Sequence, residues 1–107
     1  MDDMKFDSGK IRPDYFIIGF KDVLQELFKI FTLGAQKYAP HSWQLVKNGE
    51  ERYMAAFLRH YFQYLDGIEK DDELGISHLS LAIGNLCMVR QLQINKNKLE
   101  ENENEKR

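Results

Sequence analysis

The feature that most constrains this chain is the period of its apolar residues, which recur every three to four positions. Phe20, Val23, Leu24, Leu27, Phe31 and Tyr38 fall on one stripe, and Met54, Phe57, Leu58, Tyr61 and Leu65 on another. At about 100° per residue this spacing builds amphipathic helices, and no stretch alternates with the period of two that a sheet requires. The pattern predicts three helices: about Phe16 to Lys37, about Gly49 to Leu65, and about Asp72 to Ile94. Gly67 terminates the second. The third begins either at Asp72, as a cap, or only after Gly75. "YAPHSWQLVKNG" breaks the period with Pro40, Ser42 and Gly49 and reads as a loop. Residues 1–13 read as an extended arm, because Pro13 keeps Arg12 out of the helical region. Residues 14–95 form the all-α domain, and 96–107 a charged tail, frayed or disordered. Short connections imply an antiparallel helical bundle.

A chain of 107 residues is one small domain that buries only roughly 60–65% of its unfolded surface. Three helices leave apolar surface over, so completion by a homodimer or higher homo-oligomer is expected. The net charge of -2 argues against binding a nucleic-acid duplex, which calls for a basic domain. The N-terminal "MDDMKFDSGK" has no apolar run of the signal-peptide kind. No stretch approaches the roughly 18 apolar residues of a membrane span, so a cytoplasmic location is expected. Cys87 is the one cysteine; it excludes an intrachain disulfide and reads as a small buried hydrophobe.

The residues that break the pattern are the informative ones. His78 and Asn85 lie two turns apart on the stripe that carries Leu79, Ala82, Leu86 and Val89. Burying such groups unpaired costs on the order of 1–3 kcal/mol each, so each has a partner, either structural or a ligand. His60 lies at the edge of the second helix's stripe, where packing against the third would bring the two histidines to one cleft, and it otherwise serves an interface. The acidic run Glu69, Asp71, Asp72 and Glu73 is either a solvated connection that complements a helix dipole or a hard-oxygen site for Mg²⁺. Lys37 with Tyr38, His41 and Trp43 offers charge for a phosphate and rings for a base; the plainer reading is a helix-end cation and a lid over the core. Gly9, Lys10 and Arg12 sit in "SGKIRP". A phosphate-binding GxxxxGK[ST] loop, HExxH, an adjacent His-Asp pair, paired cysteines and a nucleophile elbow are all missing.

In order along the chain, "DSGKIRPDYF", "LGAQKYAPHSW", "FLRHYFQYLDG" and "DELGISHLSLAIGNL" resemble the phage and prophage dATP/dGTP diphosphohydrolase N-terminal family, a loose relative of the all-α MazG-like pyrophosphohydrolases. The resemblance covers about residues 6–93. It implies hydrolysis of a purine deoxynucleoside triphosphate between its α- and β-phosphates with Mg²⁺, or Mn²⁺ in its place. The matching positions are Gly9, Lys10, Arg12, Gly34, Lys37, Tyr38, Trp43, Arg59, His60, Gly67, Asp71, Glu73, Gly75, His78 and Asn85. On this footing Glu73, Asp71 and His78 hold the metal, and His60, His78 and Glu73 are catalytic. Lys10, Arg12, Lys37, Tyr38, Trp43, Arg59 and Asn85 bind substrate. The MazG-like ExxE and ExxD pairs have no counterpart: Glu50 and Glu51 meet Tyr53 and Met54 at that offset, and Glu73 meets Ile76. The rival expectation is a non-catalytic helical module that binds a nucleotide or a protein; a second is removal of the whole triphosphate.

Overall fold

The computed structural model describes residues 8–105, and within them the chain is all-α. The helices are α1 (Pro13–Gly19), α2 (Lys21–Lys37), α3 (Gly49–Leu65) and α4 (His78–Glu105), with a short 3-10 turn at Ser42–Leu45 between α2 and α3. Residues 1–7 of the expected arm lie outside the described residues.

The expected first helix is two helices. Pro13 opens α1, where its fixed φ suits a first turn and its missing N–H costs nothing. The chain leaves helical geometry at Phe20, with φ -119° and ψ 30°. The second helix matches its expected bounds. Gly49 opens it at a close approach: a Cβ there would lie 3.1 Å from Leu92 Cδ1 and 3.3 Å from Tyr53 Cε2. The third begins at His78, after Gly75 and not at Asp72, because residues 69–77 form a hydrogen-bonded loop first. Its far end runs on through Glu105, with residues 96–105 exposed, where fraying or disorder was expected.

α3 and α4 are antiparallel: Gly49 meets Leu92, Gln93 Nε2 donates to Glu50 Oε1 at 2.8 Å, and His60 meets His78. α2 crosses the other flank of α4, with Leu27, Ile30 and Phe31 facing Gly84 and Ser80 Oγ donating to Glu26 Oε1 at 2.9 Å. The buried core is small: Ile76, Leu81, Ala82 and Val89, with His78, Ser80 and Asn85 buried among them. The buried stripe of α4 is therefore rotated from the expected one. Leu79 and Leu86 are about 40% exposed (39% and 40%), and Cys87, expected to be buried, is exposed. α1 and α2 bury no residue fully. The Cα radius of gyration is 17.8 Å, against roughly 13 Å for a compact domain of this length. Among the described residues no helix is long and apolar enough to cross a membrane.

Candidate functional site

Helix pairing brings the two histidines together. His60 Nδ1 and His78 Nδ1 are 2.8 Å apart, and the rings lie 5.1 Å between centroids at 37°. One ring must donate through its Nδ1–H and the other accept, since two N–H groups cannot face each other at that distance. His78 is buried and His60 half-buried. Burial, followed by the neighbouring His78, holds the His60 imidazole below its ordinary pKa; Asp71 opposes this and Arg59 adds to it. His60 thus favours its neutral form.

The loop between α3 and α4 delivers the third member. Gly67 takes a positive φ of 83° and turns the chain out of α3. Asp71 N–H donates to Ile76 O at 2.9 Å, Gly75 N–H to Asp71 O at 2.9 Å, and His78 N–H to Glu69 O at 2.8 Å. A single ladder pair, Lys70 with Ser77, closes the loop. Gly75 has φ 67°, the left-handed region where a Cβ is strained. Asp71 Oδ1 accepts the Leu74 N–H at 2.7 Å, which fixes the carboxylate. Donor atoms of His60, Asp71 and His78 all lie within 4.8 Å of one another.

A cavity of about 850 Å³ lies between α2, the 3-10 turn and α3, with Met88 of α4 in its wall; His60, Asp71 and His78 do not line it. Its walls include Phe31, Tyr38, Trp43 and Tyr53, and its charged edge is Arg52 and Arg59. Tyr53 Oη donates to Trp43 O at 2.7 Å, and the Phe31 and Trp43 rings meet edge-on at 6.3 Å. His41, at φ 63°, and Asn48, at φ 56°, bracket the turn in left-handed geometry. The volume lies within the range of pockets that enclose small ligands, and apolar walls with a few placed charges are their usual make-up. Arg59 lines the cavity and, next to His60 along α3, is the least of the influences that lower that imidazole's pKa.

The expected site residues therefore separate. Tyr38, Trp43 and Arg59 line the cavity; His60, His78 and Asp71 form the cluster. Glu73 is not among the clustered donors, and its carboxylate instead accepts Lys37 Nζ at 3.1 Å. That bond, with Tyr38 second, raises the Lys37 pKa. Asn85 Nδ2 donates to Leu81 O at 3.0 Å, within its own helix. Arg12 is engaged locally by Asp14, at 2.8 and 3.0 Å, and lies over the Tyr15 ring. Lys10 is exposed. Arg52 escaped selection as a ligand-binding residue because it reads as one of several charges on a polar helix side.

Mg²⁺ coordinates hard oxygen, typically one or two carboxylates with waters and phosphates. The cluster supplies two imidazole nitrogens and one carboxylate. It does not fit Mg²⁺.

Fold and site together define a small all-α protein with an aromatic cavity edged by two arginines and a separate histidine–aspartate cluster. The chain belongs to the dATP/dGTP diphosphohydrolase N-terminal family, whose sequence pattern matches residues 2–102. No curated protein and no solved structure matches it.

Proposed function

We propose that the chain hydrolyses a purine deoxynucleoside triphosphate, dGTP or dATP, to the monophosphate and pyrophosphate. The observation that carries the reading is the aromatic cavity edged by Arg52 and Arg59, in a chain whose family is named for dATP/dGTP diphosphohydrolases. Trp43 and Tyr38 provide faces on which a purine stacks. Arg52 and Arg59 suit phosphate oxygens, since a guanidinium offers paired donors and stays charged. Positioning and charge neutralisation supply most of the catalysis that phosphate transfer needs.

In the reaction, water attacks the α-phosphorus, the bond to the α–β bridging oxygen breaks, and pyrophosphate leaves. The proton lost by water goes to the histidine pair, which requires the α-phosphate to lie at the Arg59 end of the cavity, since Arg59 lines it and His60 is the next residue along α3. Whichever ring donates through Nδ1 has a bare Nε2, and that nitrogen accepts the proton. The lowered pKa of His60 favours its unprotonated form, in which it can act as a base.

The test is a panel of deoxynucleoside and ribonucleoside triphosphates, with divalent metals in turn, read for pyrophosphate release. Purine deoxynucleotides should be favoured, and Arg59→Ala should lower kcat/KM by roughly 10- to 150-fold, the worth of a charged hydrogen bond at about 1.5–3 kcal/mol. Absence of any pyrophosphate from the whole panel would favour the rival, a non-catalytic binding module, which the exposed aromatic residues of α1 and α3 would suit.

A further inference from the structure

We infer that His60, His78 and Asp71 form a binding site for a nitrogen-seeking transition-metal ion, of the Zn²⁺, Co²⁺ or Ni²⁺ kind, in place of Mg²⁺. Three observations carry it. The donors converge from three separate elements: α3, the loop before α4, and the first residue of α4. The two Nδ1 atoms are 2.8 Å apart. Two ligand nitrogens at roughly 2.1 Å from one ion and 90–110° apart are separated by about 3.0–3.4 Å, so the rings need open by only a few tenths of an ångström.

The third observation is the support behind the ligands. Asp71 is held by the Leu74 N–H at one oxygen and by two backbone bonds at its own N–H and C=O. Its other carboxylate oxygen remains available for an ion. Such backing is what fixes ligand orientation in metal sites. Imidazole selects late first-row ions, whereas carboxylate and water select Mg²⁺. Three protein ligands leave a fourth position open for water or a phosphate oxygen.

Binding requires a lone pair on both Nδ1 atoms. The ring that donates in the metal-free pair moves its proton from Nδ1 to Nε2, so neither imidazole changes charge; the ion-bound pair then lacks the bare Nε2 that accepts a proton in the metal-free form.

The inference does not rest on hydrolysis, and its readout needs no nucleotide. The whole chain, stripped with a chelator, is titrated separately with Co²⁺, Zn²⁺ and Mg²⁺. Co²⁺ should produce visible d–d absorption saturating at one equivalent, Zn²⁺ should abolish that absorption by displacement, and Mg²⁺ should leave it unchanged. His60→Gln and Asp71→Asn, both at positions only half-buried, should each weaken binding at least about tenfold, the lower end of what loss of an outer-sphere partner alone costs. Circular dichroism of each variant confirms that it is folded. Absorption that never appears, Mg²⁺ that displaces Co²⁺ at equal concentration, or Zn²⁺ affinity unmoved by both substitutions would each overturn the assignment.

Discussion

The exposed apolar faces predict that the chain self-associates, and that lysines at Ile18 and Phe62 together would leave it a monomer. Phe16, Ile17 and Ile18 on α1 are 57, 53 and 68% exposed, and Phe62 and Leu65 on α3 are 60 and 55% exposed. With roughly 100 Å² left in water by each half-exposed large apolar side chain, where an aromatic one buries about 150–250 Å² in full, these five leave on the order of 500 Å² of apolar surface. At about 25 cal/mol per Å² that is roughly 12 kcal/mol of unused burial, comparable to the cost of association, about 4–15 kcal/mol. The further exposed residues Leu58, Tyr61 and Tyr64 add to the favourable side. Ile18→Lys with Phe62→Lys removes about two-fifths of that patch, roughly 5 kcal/mol, which weakens association more than a thousandfold. Both side chains are already solvent-facing, so the protomer's helical content should persist. Light scattering at micromolar concentration should give the wild type at least twice 12.6 kDa and the double variant close to one protomer. A wild-type monomer, or a variant of unchanged mass, would refute the argument that a second copy covers these faces.

Asn85→Ala should leave turnover unchanged and shift the melting temperature little. Leu81 O, which accepts its amide, is also the acceptor of the Asn85 backbone N–H in a regular helix, so no orphan is left, and alanine regains a few tenths of a kcal/mol of helix propensity. A tenfold loss of turnover with normal melting would place Asn85 at the ligand instead. The pH dependence has a definite sign. A His60 pKa lowered in the folded state contributes stability that is fully present above the ordinary value of about 6.5 and lost as pH falls through it toward the folded value. Chelated wild type should therefore lose melting temperature on acidification more steeply than His60→Gln; parallel profiles would contradict this.

The helices were legible because their signal is local: a period of 3.6, proline at one end, glycine at the other. α3 came out with its bounds intact for that reason. The break at Phe20 was not legible, since the apolar stripe runs through it. Leu79 and Leu86 belong to the same sequence stripe as Ala82 and Val89 yet sit at its open edge, because which part of a stripe is covered depends on the neighbouring helix. The His60–His78 meeting was readable as a possibility from two histidines on facing stripes. The role of Asp71 over Glu73 was not, since loop hydrogen bonds to Ile76, Gly75 and Leu74 decide it. Arg52 reads in sequence as one more surface charge, and only the cavity singles it out.

The central claim is the reaction, and product identity tests it most directly. Purified chain incubated with dGTP or dATP labelled at the α-phosphate, with each divalent metal in turn, is resolved by chromatography. The account predicts labelled dGMP or dAMP with one equivalent of pyrophosphate. Labelled nucleoside diphosphate, intact triphosphate released from the nucleoside, or unreacted substrate under every metal would contradict it.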